Sequence, residues 1–411
     1  MLVHPGKTTN TALRRGTALI RHLFGYSETH DAMVALRQRQ MSIEHLDQEH
    51  SKAFKNGLLS ILSTELAMHT MAQLIDGLPT ASIARKTRGS GLRIGHPIYR
   101  HTEICDPAIP MAKEFRETFD PLLLVFDTLV IQRFQKALPG SRSFQLSLLE
   151  LMARSVHQIA VHLCNLEPKL HTKEDIASVL SWRHEPETVE IMPGEWYTFE
   201  SRFEPHPTLF FQGMYMDSDQ YPDGLADVAG YWAEDLIFGG VVLFQHTVDE
   251  NELGDAFLHT GRQGANQTIR VWRPTDSQLA DLMLFLTSDP AGNSDCPLPL
   301  MATSTNYRVD DWDAMAIYGI FRDRWERKLP QEKDVSNVRL NSGDYPELEQ
   351  MFVNVNSGPS FDIPVASRSQ CAPVDRNMLD EPRNDNETLG SSHSQGGIDA
   401  SNEEYDDLDN F

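Results

Sequence analysis

Residues 197–216 read YTFESRFEPHPTLFFQGMYM. Tyr197, Phe199 and Phe203 alternate with Thr198, Glu200 and Arg202, the period of two expected of a half-buried strand. The turn-forming run Glu204-Pro205-His206-Pro207 follows, and residues 209–216 then predict a second strand. Further on, Ala226–Ala233 and Ile237–His246 read as a strand pair around Glu234 and Asp235. Gly239 and Gly240 would mark a bulge or a close backbone approach there, and Gln267–Arg273 is a further strand.

Upstream of this stretch the period is helical. Phe54, Leu58, Ile61, Glu65, Met68, Ala72 and Ile75 recur at spacings of four and three, so Phe54–Ile75 predicts one helix with Glu65 on its apolar seam. Gly77 and Pro79 supply its stop signals. Helices are also expected over Phe115–Lys136 and over Phe144–Leu166, the latter apolar around much of its circumference. Thr275 with Gln278 fits a capping box that opens a helix whose inner stripe is Leu279, Leu282, Met283 and Leu286. Trp312–Lys328 predicts another amphipathic helix. Gathered strands with helices outside them imply an α+β fold, with a helical N-terminal half and a mainly antiparallel sheet with flanking helices in the C-terminal half. The expected organisation is a flexible basic N-terminus (1–30), a helical region (31–190), a strand-rich region (191–330) and a disordered acidic tail (341–411). Whether the two central regions share one core is left open by the sequence.

The chain has 411 residues and a formal net charge of −23, of which −12 falls in residues 341–411. Such a tail, acidic and poor in apolar residues, cannot offset the entropy of ordering. The overall charge argues against nucleic-acid and anionic-membrane partners, and no run approaches the ~18 apolar residues of a membrane span. Four scattered cysteines without CxxC spacing imply reduced thiols in a cytoplasmic or nuclear protein. The first acid is Glu28, after Lys7, Arg14, Arg15 and Arg21, a composition that overlaps a mitochondrial transit peptide.

No GxSxG elbow, HExxH helix or Walker loop is present, so no cofactor is expected. Residues 89–95 (GSGLRIG) depart from the dinucleotide spacing and read as a basic loop with Arg85, Lys86, Arg88, Arg93 and Arg100. Asp217–Gly224 fails as a calcium loop because Val228 stands where a bidentate Glu is needed. The pairs His157/His162 and His45/His50 are five apart and do not share a helix face. Glu65 and His69 do share one and read as a buried, satisfied pair. The stretch His96–Asp106 is rich in ligand types but has no recognised ligand spacing, so no metal is expected.

The densest candidate is residues 196–246, an aromatic pocket with polar groups near strand ends. Glu204 or His206 would serve as acid or base with Asp227 nearby, and Tyr215, Tyr231 and Trp232 would bind a ligand by stacking. Within it, Phe203-Glu-Pro-His-Pro, Asp219-Gln-Tyr-Pro-Asp-Gly, Asp227-Val-Ala-Gly-Tyr-Trp-Ala-Glu and Gly239-Gly-Val-Val-Leu-Phe resemble a family of uncharacterised proteins from filamentous fungi. The resemblance covers 195–245 and implies a fungal source, with no activity, cofactor or site residue attached. Two readings of function follow. One is a non-catalytic interaction or accessory protein with a protein partner; the other is a small-molecule enzyme or binding protein of fungal secondary metabolism.

Overall fold

The computed structural model describes residues 40–199, 204–249, 252–264, 267–289, 295–333 and 343–346. The basic N-terminus, Phe203 and nearly all of the acidic tail lie outside these residues.

The fold is α+β. The predicted Phe54–Ile75 helix is two helices, α1 (Gln48–Leu62) and α2 (Glu65–Asp76), bent by 73°. The cause is Thr64, whose hydroxyl accepts the Ala67 N–H and caps a new helix in the middle of the apolar run. The seam loses its phase there, and Glu65 and His69 are exposed instead of buried. After α3 (Ala81–Lys86), Pro121 divides the predicted Phe115–Lys136 helix into α4 (Ala108–Thr118) and α5 (Thr128–Lys136). Helix α6 (Arg142–Asn165) falls where the sequence puts it, and α7 (Lys173–Leu180) follows. Among the described residues no single helix is long and apolar enough to cross a membrane.

The strand-rich half departs further from expectation. Beyond the short antiparallel pair β1 (Gln40–Ser42) and β2 (Val125–Asp127), strands β3 (Glu187–Met192) and β4 (Glu195–Phe199) form an antiparallel ribbon whose Trp196 and Tyr197 are 65% and 51% exposed, so Tyr197 does not face a core. Residues 209–216 are turns, and Ala226–Ala233 belongs to a helix, α8 (Leu225–Phe238). That helix is buried on every side, so no 3.6-residue stripe separates it from a buried strand. Gly239 ends it in the left-handed conformation (φ 89°), where a β-carbon would fall 2.0 Å from the Leu300 carbonyl oxygen. The glycine pair therefore serves as a helix cap and close approach, not a bulge. The chain continues as β5 (Val241–His246) and β6 (Leu253–His259), the centre of a sheet completed by the short β7 (Val271–Trp272), β8 (Arg308–Val309) and β9 (Ile320–Phe321) in the order β8-β7-β6-β5-β9, all antiparallel. The capping box at Thr275 is present and opens α9 (Asp276–Thr287). The predicted Trp312–Lys328 helix stops at α10 (Asp311–Ala316), because Gly319 (φ 62°) turns the chain into β9.

Alternation along β5 and β6 sends Val242, Phe244, Ala256 and Leu258 into one apolar cluster and Val241, Leu243 and Phe257 into another. The first cluster also holds Phe54, Met71, Leu151 and Trp232, so both halves of the chain contribute to it.

A chain of buried charges of alternating sign runs through this core. Arg133 reaches Glu150 (2.5 Å), Glu150 accepts from Arg154 (3.1 Å), and Arg154 forks onto both oxygens of Asp323 (3.2 and 3.3 Å). Arg322 then donates to Glu234 (2.6 Å), and His157 lies between Glu234 (2.8 Å) and Asp227 (3.0 Å). Carboxylates only accept, so both His157 nitrogens carry protons. Burial works against that charge, and the hydrogen bonds to Asp227 and Glu234 outweigh it, holding the imidazole above its ordinary range. Gly230 is required here, since a β-carbon would sit 2.6 Å from the His157 ring.

Glu326 is fully buried beside this chain, and burial pushes its carboxyl up to about 7 against the pull of Arg327 and Arg322. A raised pKa stabilises the fold below the unfolded value of 4.5, and that stabilisation is lost as pH rises through the folded value. Stability should thus fall between pH 5 and 8 in denaturant titrations, with His157 adding a fall in the same direction. Glu326→Gln should remove roughly 2 kcal/mol of that fall. An unchanged pH slope in the variant would contradict the assignment.

Candidate metal centre

Four potential ligands meet where α2 ends. Asp76 is the last residue of α2 and its side chain is fully buried. Gly77 (φ 100°) turns the chain immediately after it, and a β-carbon there would press on Ile176 and Lys169. His101 follows the 3-10 turn Pro97–Arg100, Cys105 lies just before α4, and His171 just before α7. One donor atom from each of Asp76, His101, Cys105 and His171 lies within 4.8 Å of the other three.

The individual separations are those of a coordination shell. The Nε2 atoms of His101 and His171 are 3.2 Å apart, and Cys105 Sγ is 3.7 Å from His171 Nε2. Asp76 Oδ2 is 2.9 Å from His101 Nε2, and Oδ1 is 3.6 Å from His171 Nε2. Tetrahedral zinc, with bonds of about 2.0–2.1 Å to nitrogen or oxygen and about 2.3 Å to sulfur, places nitrogen pairs about 3.3 Å apart and nitrogen–sulfur pairs about 3.5 Å apart.

The outer contact of His101 is the one a metal ligand uses. His101 Nδ1 lies 2.9 Å from the Pro79 carbonyl oxygen, which can only accept, so Nδ1 carries a proton. Asp76 beside it holds the His101 imidazole above its ordinary range, so a cation entering the cluster would displace the Nε2 proton and take up that lone pair, in the orientation a metal-bound histidine takes from its outer hydrogen bond. Neither Asp76 oxygen receives a hydrogen bond of acceptable alignment, although His101 is close to one of them. Burial works to raise the Asp76 carboxyl. The approach of His101 and Cys105 and the charge of His171 outweigh it and hold the group below the usual carboxylate range. Burial, with Asp76 beside it, pushes the Cys105 thiol up to about 11.

Two segments leave this cluster and wall a cleft. His96, at the start of the first segment, lies on one side, and Val179 and Leu180 at the end of α7 with Trp182 beyond it lie on the other. The His96 and Trp182 rings meet edge to face at 5.0 Å, and Leu78, Ile98, Val179 and Leu209 pack into a small apolar cluster beneath. The basic loop 89–95 contributes Ser90–Arg93 to the cleft.

The residues singled out from the sequence are dispersed by this geometry. Glu204 and His206 both line the cleft, with His206 Nε2 donating to the Gly89 carbonyl (2.9 Å). Asp227 belongs to the buried charge chain with His157. Tyr215 and Tyr231 stack on each other (4.7 Å) in the second apolar cluster, and Trp232 packs on Phe210 in the first. All three aromatics are at most 2% exposed and form core, so the expected stacking wall is absent from 204–246 among the described residues. Asp217 and Asp219, set aside as a calcium loop, are engaged by Lys328. The visible signal for the metal cluster was the ligand-rich stretch His96–Asp106; its missing half, Asp76 and His171, lies in other segments.

Gly77→Ala should strain the turn that presents Asp76 and lower stability by about 1–3 kcal/mol, read as a drop in Tm. An unchanged Tm would show that the turn is relaxed.

No family model matches the chain, and no curated protein or solved structure matches it.

Proposed function

We propose that this chain is a non-catalytic, zinc-dependent binding protein in which Asp76, His101, Cys105 and His171 hold one Zn²⁺ as a permanent part of the fold. The convergence of these four donors carries the reading. A mixed set of two imidazoles, a thiolate and a carboxylate suits zinc, whereas calcium and magnesium take oxygen shells. Four protein ligands complete a tetrahedron and leave no position for water or substrate, the mark of a structural site. The ion would tie α2 to the segment before α4 and to the start of α7, and so fix both walls of the cleft. The other concentration of acid and base groups, around His157, is buried and internally paired, which supports a structural part for it too.

Elemental analysis of the purified full-length protein should find about one zinc per chain, as a single four-donor site holds one ion. Cys105→Ser and His101→Ala should lose that ion, and a strong chelator should lower the Tm of the parent protein more than that of either variant. Zinc-free parent protein that does not take up added Zn²⁺, or variants that keep full zinc content, would overturn the reading.

A further inference from the structure

We infer that the β3–β4 ribbon binds an extended, arginine-bearing segment of a partner protein, which adds to the ribbon as a third strand. This goes beyond the metal reading and does not depend on it.

The register fixes what the ribbon presents. Residues directly opposite in an antiparallel pair share a face, and here Thr188 stands opposite Thr198 and Glu190 opposite Trp196. All four side chains are exposed, so this face is turned to solvent. The two threonine hydroxyls answer each other at 3.0 Å. Glu190 Oε1 accepts the Gly194 N–H at 2.7 Å, which fixes the carboxylate near the hairpin turn and leaves it further acceptor positions, since a carboxylate has about four. Trp196 beside it is 65% exposed, and Ile191 and Met192 near the turn are 57% and 62% exposed. Large apolar side chains gathered on an exposed element mark a contact surface. The backbone offers the second half of the site. The two strands pair only with each other, so each keeps an outer edge to which an extended chain adds by main-chain hydrogen bonds.

Charge selects the occupant. Residues 185–201 carry five acids and neither lysine nor arginine. A second copy of the ribbon would set those acids against their own kind, and nucleic acid or an anionic membrane would meet them with phosphate. A basic strand answers them. Neighbouring strands lie about 4.8 Å apart, so an arginine on a strand beside β4 would lie over the Trp196 ring and reach the Glu190 carboxylate on the strand beyond. Arginine suits both contacts better than lysine, because its planar guanidinium stacks on an aromatic face while its N–H groups fork onto a carboxylate.

The test uses a labelled, end-blocked peptide, Thr-Arg-Thr-Arg-Thr-Arg-Thr, and the same peptide with glutamine in place of each arginine. Binding to the full-length protein is followed by fluorescence anisotropy, and strand addition by backbone hydrogen exchange at saturation. The arginine peptide should bind saturably, and the glutamine peptide roughly tenfold more weakly or worse. Trp196→Leu keeps an apolar side chain without the ring and should weaken the arginine peptide about two- to fivefold. Glu190→Gln should weaken it by a similar factor, while its amide oxygen still accepts the Gly194 N–H. Both positions are exposed, so neither change disturbs a core. Amides in 195–199 should exchange more slowly with the peptide bound. No saturable binding, equal binding of the two peptides, insensitivity to both substitutions, or unchanged exchange across β3 and β4 would each overturn the inference. A parent protein that self-associates and that Trp196→Leu renders monomeric would overturn it as well, by giving the ribbon to a second copy.

Discussion

The position of His157 between Asp227 and Glu234 is the contact on which the two halves of the structure depend. It joins α6 of the helical front to α8 of the strand-rich half, and Arg322 extends it to the segment leaving β9. Eight charges alternate in sign from Arg133 to Asp227, so each buried ion has an opposite neighbour on at least one side. Desolvating such groups is costly, and removing one member of a buried pair strands its partner at roughly 3–5 kcal/mol. The chain of charges therefore does more to specify which helices meet than to add net stability. Gly230 shows the same constraint in space, because α8 approaches α6 too closely there for any side chain.

The proposed zinc centre works by a similar logic at the edge of the molecule. Asp76, His101, Cys105 and His171 come from separate stretches of the chain, and a shared ion would tie those stretches together. The outer contacts are already arranged, with the Pro79 carbonyl holding His101 and Gly77 presenting Asp76. Fixing His101 fixes the short turn that begins after His96, and fixing His171 fixes the start of α7.

Parts of the fold were legible in the sequence. The capping box at Thr275 and the stripe behind it were readable, as was α6, because length and period agreed. Legibility failed for α8, where burial on every side erases the helical stripe and leaves an aromatic run that resembles strand. It failed for Phe54–Ile75 because a capping hydroxyl at Thr64 outweighs the continuity of the apolar pattern. The candidate site was half visible. Glu204 and His206 do line a cleft, but Tyr215, Tyr231 and Trp232 were chosen for an aromatic character that the core uses. The metal donors were missed because their spacing along the chain follows no motif: a helix end, a loop and a second loop meet only after folding. Recognising them needed the fold, not a pattern.

The most direct test of the zinc centre is X-ray absorption at the zinc edge on the purified full-length protein. A mixed shell is predicted, with about three nitrogen or oxygen neighbours at about 2.0–2.1 Å and one sulfur at about 2.3 Å, the sulfur vanishing in Cys105→Ser. A six-coordinate all-oxygen shell, or a shell with no sulfur in the parent protein, would contradict it.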